Sequence, residues 1–284
     1  MKGIAMWAYL RRNPSLLLGL ILLGLVLAFA GIGRLVWDPS LAAPLSALPN
    51  QRPSWDHPLG TDRQGRDILA VLIVGTPLTL YIGLLAGLLG LVIGTILALL
   101  SGYFGGIIDS LVRTLVDVGL TIPPLLVLIL VAVSVRTNLS ISQMALVVAS
   151  LAWLWPTRTI RSQVLTLRER AWVQIARLSG ANHFQILFFE IVPNLFPYLT
   201  ATFVGAVASA ILASIGLEVI GLGPIEANTL GMTIYWVSYY AALLHGMWWW
   251  FLPPIAIIIL IFVALFAISA GLDEFANPRR RRAV

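Results

Sequence analysis

The segment Arg168-Glu169-Arg170-Ala171-Trp172-Val173-Gln174-Ile175-Ala176-Arg177-Leu178-Ser179-Gly180-Ala181-Asn182-His183, which continues to Ile191-Val192-Pro193-Asn194, has helical character up to a glycine. Gly180 suits a helix C-cap, and the second apolar stretch that follows is expected to halt at Pro193. Apolar runs flank the segment at residues 141–155 and 195–220, and five arginines (Arg158, Arg161, Arg168, Arg170, Arg177) crowd it and its approach. A helix, a turn and a second helix between two apolar runs describe a connector lying across the mouth of a membrane bundle. A generic basic interfacial helix also fits the charges. It does not predict the Ala-x-x-x-Gly-Ala step of Ala176, Gly180 and Ala181, followed at fixed distance by Val-Pro-Asn.

Composition supports the membrane reading. Of 284 residues, 59% are hydrophobic and 11% charged, with a mean hydropathy of +0.94. Soluble domains carry about a quarter charged residues, so this chain cannot cover a water-facing surface. It has no cysteine, which excludes disulfides, thiol nucleophiles and cysteine-ligated metal. Lys2 is the only lysine, so no Gly-rich loop ends in the Lys-Ser/Thr of a phosphate-binding site. Active transport driven by ATP would need its nucleotide on another chain. The net charge of +6 is scattered along apolar sequence, which suggests orientation in a bilayer and not nucleic-acid binding.

Six apolar stretches are long enough, or nearly so, to cross: 15–37, 75–100, 107–135, 141–155, 195–220 and 251–272, the fourth being marginal. Lys2, Arg11 and Arg12, then Arg113, the five arginines of the connector and Arg279 to Arg282 place 13 of the 18 basic residues on one side. The positive-inside rule makes that side cytoplasmic, with both termini inside. The other side receives residues 38–69, a short turn at Arg136, and residues 221–250, whose lone charge is Glu226. Leu16 to Ala30 also fits a cleavable signal peptide. Apolar character that continues through Ile32, Leu35, Val36 and Trp37 favours a retained span.

Within the spans, Gly83, Gly87, Gly90, Gly94 and Ala98 share one helical face, which fits a packing seam, a subunit interface or a sliding surface. Gly205, Ser209, Ala213 and Gly216 repeat the idea in the fifth span. Asp109, Arg113 and Asp117 stack one turn apart, so Arg113 is expected to bond both carboxylates. Pro123-Pro124 should kink the third span, whereas Pro253-Pro254 falls in a first turn, where proline is tolerated. Outside, a proline-punctuated stretch leads to His57-Pro58-Leu59-Gly60-Thr61-Asp62-Arg63-Gln64-Gly65-Arg66-Asp67. Thr61 with Gln64 reads as a capping box that begins a helix, with Arg66 and Asp67 in local salt bridges.

These motifs together resemble the permeases of ATP-binding-cassette (ABC) importers. The connector is similar to their cytoplasmic loop pattern of Glu-Ala-Ala, three residues, Gly, nine residues, then Ile-x-Leu-Pro. Gln174-Ile175-Ala176, Gly180 and Val192-Pro193 hold those positions. The external motif resembles the C-type permease of the dipeptide, oligopeptide and nickel subfamily. So do Gly102-Tyr103-Phe104-Gly105-Gly106, Gly221-Leu222-Gly223 and the tail from Gly271 to Arg279. The departures are Gln174 and Ile175 in place of Glu-Ala, and Glu190 where the subfamily often has His. Glu218 stands where a small polar residue is usual, and Ser214 where a Glu is.

The resemblance implies an all-α integral membrane protein with six transmembrane helices and the type I importer permease fold. Residues 1–37 would hold the cytoplasmic N-terminus and first span, 38–69 an extracytoplasmic segment, and 70–284 the permease core with a coupling loop at 158–194. It implies docking on a cytoplasmic ATPase through Gln174, Ala176, Arg177, Gly180, Ala181 and Pro193. The extracytoplasmic motif would comprise Gly60, Thr61, Asp62, Gly65, Arg66 and Asp67. The implied partners are a companion permease in a heterodimer, two ATP-binding subunits that carry ATP and Mg, an external substrate-binding protein, and the lipid of the inner membrane. No cofactor is expected in this chain. The subfamily's cargo is peptides, nickel or oligosaccharides, and peptide fits best.

Glu218 is a candidate pore or substrate residue, because an ionisable group near the apolar zone is a site hypothesis; it also fits a companion contact or the outer interface. Tyr235, Trp236, Tyr239, Tyr240 and Trp248 to Trp250 suggest sugar stacking, with an interfacial aromatic belt as the stronger reading. A secondary transporter or channel would need buried ionisable groups or a polar filter, and spans one, two and six have almost none. An intramembrane enzyme would need a nucleophile and base, and the sequence has no His-Glu-x-x-His or Gly-x-Ser-Gly.

Overall fold

A computed structural model describes residues 13–135 and 138–276. Lys2, Arg11, Arg12, Arg136 and the tail from Asn277, with Arg279 to Arg282, lie outside the described residues. Four helices are long and apolar enough to cross a membrane: α1 (Pro14–Val36), α2 (Ile68–Phe104), α8 (His183–Val219) and α10, which runs from Trp248 to Ala276. A fifth candidate is the bent pair α3 (Gly106–Thr121) and α4 (Pro124–Ser134). Between them come α5 (Ile141–Ala152), α6 (Leu154–Arg168), α7 (Ala171–Leu178) and the short outer helix α9 (Leu230–Tyr239). The protein is all-helical among the described residues, apart from an isolated antiparallel bridge between Thr61 and Asp67.

The glycine face of α2 is the central packing seam. A methyl on Gly83 would lie 2.2 Å from Ile211 of α8, on Gly90 2.7 Å from the Ala152 backbone, and on Gly94 2.9 Å from Pro156. Only hydrogen lets the backbones approach this closely. The small face of α8 behaves differently: nothing lies within 4 Å of a methyl built on Gly205. That face opens on a groove of about 400 Å³ lined by Tyr198, Thr202, Ser209, Leu128, Trp155 and Thr159, among others. α1 packs along α10, where a methyl on Gly19 would meet the Ala264 carbonyl at 2.7 Å. Its N-cap residue Asn13 donates to the Gly271 carbonyl (3.1 Å) and to Glu274 (3.0 Å), so α1 begins beside the end of α10.

Proline produces three departures from the sequence expectations. The third span does not merely kink: Ile122 and Pro123 are extended and the two helices turn by 91°. Each residue before a proline is driven out of the helical region, and Pro124 then starts α4 as its first residue. The fourth apolar run is a short helix, as expected, and α6 continues it past Trp153 to Arg168 with more polar sequence. The seam between α5 and α6 falls where Pro156 has no N–H for the Ala152 carbonyl. Pro193 does not halt a helix. Ile186–Ile191 widens into a π-helical turn that absorbs the missing donor, and α8 runs on through it. Pro253 and Pro254 sit inside α10, beyond its first turn.

Candidate functional site

At the end of the bundle where α2 finishes, three ties hold the connector. Arg168 donates to the Gly102 carbonyl at 2.9 Å, and the Tyr103 hydroxyl meets His183 Nδ1 at 2.9 Å. Arg161 donates to Asp109 through Nε and Nη2, at 2.5 and 2.6 Å. Asp109 therefore pairs with α6 and not with Arg113 of its own helix. Gly105 and Gly106, with φ of +71° and +58°, turn the chain from α2 into α3, which swings Asp109 toward α6. Of the segment 158–194, residues up to 168 belong to α6 and those from 183 to α8, so the connector proper is 169–182 around α7.

α7 is anchored by Val173, with Gln174 and Ala176 half-buried beside it and the rest exposed. Val173 is fully buried in a cluster with Tyr103, Ile160, Val164, Ile186 and Leu195, and Ala176 packs against it. Ile175 is 63% exposed and Leu178 88% exposed, while Phe184 and Phe189 extend the apolar surface onto α8. Gln174 donates back to the Arg168 carbonyl at 3.2 Å, bracing the loop from within. Arg177, Gly180 and Pro193 are exposed, and Ala181 is half-buried.

Gly180 has φ +86°, and the amides of Gly180 and Ala181 return to the Arg177 and Ala176 carbonyls at 3.1 Å each. That pair of bonds is a Schellman ending, which requires the left-handed conformation. Asn182 and Gln185 then cap α8 reciprocally, through bonds of 2.8 and 2.9 Å. The sequence reading missed this capping box and the Tyr103–His183 tie, although the Asn-x-x-Gln spacing carries the first.

The opposite end holds a clasp. Asp67 is fully buried and accepts from the Ala70 amide (2.8 Å) and the Trp37 indole (3.1 Å), and it pairs with His57 Nδ1 (2.8 Å). Arg66 donates to Asp62 at 2.6 Å and to Asn228 at 2.9 Å, and Asn228 donates to the Ala42 carbonyl at 3.0 Å. Arg66 is thus in a local salt bridge with Asp62, while Asp67 is held by hydrogen bonds. The capping box at Thr61 is not formed: the Thr61 hydroxyl donates to the Leu48 carbonyl at 2.6 Å, and α2 starts at Ile68 with Asp67 as its cap. Gly60 and Gly65, with φ of +70° and +72°, fold the motif back on residues 47–51. Glu218 is also buried, its carboxyl turned into its own chain against Ser214 and Thr229.

The described residues thus form a multi-pass helical membrane protein with a tethered, apolar-tipped connector at one end and a glycine-built clasp at the other. Residues 90–282 match the family model described as binding-protein-dependent transport system inner membrane component, and the chain belongs to that family. It is 30% identical over 276 residues to the dipeptide transport system permease protein DppC of Bacillus subtilis, covering 97% of this chain and 85% of the relative. It is equally 30% identical over 287 residues to the oligopeptide transport system permease protein OppC of the same organism, at 99% and 92% coverage. A putative peptide permease protein of Brucella suis is 31% identical over 270 residues, covering 94% and 88%.

Proposed function

We propose that this chain is one of two permease subunits of an ATP-driven type I importer, forming half of the pathway for di- or oligopeptides delivered by an external binding protein. Six crossings follow if α3–α4 and α5–α6 each count as one. The inward arginine bias then puts both termini and the connector in the cytoplasm of an inner-membrane protein. The observation that carries the reading is α7: a short helix fixed by Val173 and by ties to α2, with Ile175 and Leu178 bare. An apolar tip of this kind fits a cleft on a partner, and Gly180 lets the chain turn back sharply behind it.

ATP and Mg would reside on two cytoplasmic ATP-binding subunits. Their closure would draw two such helices together and open the pathway outward. The groove along Gly205 and Ser209 is the face left for cargo or for the companion permease, and its hydroxyls and Tyr198 suit uncharged peptide groups. The relatives' peptide names support that cargo.

The test is uptake of a labelled dipeptide by cells that depend on this system. Gly180→Arg should abolish uptake while the protein still reaches the membrane. Normal uptake by that variant would sink the assignment.

A further inference from the structure

Among the spanning helices, the transport scheme leaves a buried carboxyl group of α8 unused. Glu218, one residue from the end of α8, is 0% exposed. The Ser214 hydroxyl, one turn earlier on the same helix, donates to Oε1 at 2.7 Å, and the Thr229 hydroxyl donates to Oε2 at 2.7 Å. Thr229 is the N-cap of α9, accepting from the Met232 amide at 3.2 Å, and the amides of Gly231 and Met232 are turned toward the carboxylate. A helix N-terminus presents free N–H groups and the positive end of its dipole to an anion. Here the chain places its own carboxyl group at that position.

The fit leaves no room for anything else. A methyl on Gly231 would lie 2.2 Å from Oε2, and one on Gly223 2.6 Å from the Glu218 Cγ. From the other side, the Leu230 amide donates to Thr79 of α2 at 3.0 Å, and a methyl on Gly75 would strike the Asn228 carbonyl at 1.9 Å. A carboxylate with both oxygens engaged and its approaches closed by Gly223, Gly231 and Met232 does not receive cargo.

We propose that Glu218 is a positioning residue that locks the N-terminus of α9 to the outer end of α8, so that the outer helix and the spanning helix move as one body. The lock stands without the importer reading; its consequence for transport rests on that reading. Because Ser214 and Glu218 touch, a carboxylate placed at either position can reach the same amides.

The experiment is hydrogen exchange on the full chain in lipid nanodiscs, without substrate, comparing wild type with Glu218→Ala, Glu218→Gln and the double exchange Ser214→Glu/Glu218→Ser. In Glu218→Ala, amides of residues 230–233 should exchange at least about tenfold faster, the size of one lost buried hydrogen bond, while those of α2 hold. Glu218→Gln keeps the shape and should still loosen α9, because its NH2 group cannot accept the hydroxyl bond that the oxygen it replaces accepts; it carries the test if the alanine variant fails to accumulate. The double exchange should return to within about threefold of wild type. Unchanged α9 exchange in both single variants, or a double exchange as loose as Glu218→Ala, would overturn the lock. Absence of peptide uptake by an otherwise locked wild type would instead overturn the importer reading.

Discussion

Placing the same methyl on two glycines should have opposite effects. At Gly87 of α2 a Cβ would sit 2.8 Å from the Val207 nitrogen and 2.9 Å from its Cα, both backbone atoms that cannot rotate away. Carbon contacts are comfortable near 3.5–4.0 Å, so α2 and α8 must part by roughly 1 Å along the seam. Overpacking of that kind costs about 1–3 kcal/mol, from which the helix preference of Ala over Gly returns about 0.5–1. At Gly205 nothing lies within 4 Å, and only the favourable part remains.

Gly87→Ala should therefore be destabilised and Gly205→Ala neutral or stabilised, with a gap of about 2 kcal/mol between them. At about 2–4 °C per kcal/mol for a chain of this size, the thermal midpoints should differ by roughly 5 °C. The midpoints can be followed by intrinsic fluorescence, since the chain has 10 tryptophans. Equal midpoints, or Gly205→Ala the less stable, would refute the packing argument.

Further outcomes are specific to single residues. Ala241 holds φ +50° in the turn after α9, so Ala241→Gly should stabilise the chain by about 1 kcal/mol, read as a raised midpoint. Asp67→Ala leaves the Trp37 indole and the Ala70 amide without their acceptor and should cost about 2–3 kcal/mol, with Asp67→Asn milder by the same measurement. Arg161→Gln should weaken the inner end by about 1 kcal/mol, whereas Arg113→Gln should change stability by less than about 0.5. A double-mutant cycle with Asp109→Asn should show coupling to Arg161 and none to Arg113.

Much of the architecture was legible because lipid imposes a simple rule on composition. Apolar runs of about 20 residues mark spans, and the glycine spacing along α2 marks a close approach whose partners, α8, α5 and α6, only the fold reveals. What sequence left obscure was mostly proline. Whether a Pro-Pro pair kinks a helix or breaks it depends on whether neighbours fill the space, and Pro193 was absorbed by a π-turn that no local pattern announces. Pairing also followed tertiary geometry over helical spacing: Arg113 lies one turn from Asp109, yet the turn at Gly105-Gly106 brings Arg161 to it first. At the connector, Gly180 was readable from its capping role, while the anchoring of α7 by Val173 required knowing which face meets α2 and α6. The small-residue stripe of α8 resembles that of α2 in sequence. The two differ only in that one is covered and the other opens on a groove.

In the proposed function, α7 hands the energy of an ATPase to a pathway in this chain. The most direct test is affinity purification of the chain co-expressed with its companion subunits, followed by ATPase assay with and without vanadate. The account predicts that the wild-type chain brings down an ATPase whose turnover vanadate blocks. Leu178→Asp, at a position 88% exposed and so harmless to the fold, should lose that subunit while keeping the companion permease. Full recovery of the ATPase by Leu178→Asp, or a wild-type chain that transports its cargo with no ATPase attached, would contradict it.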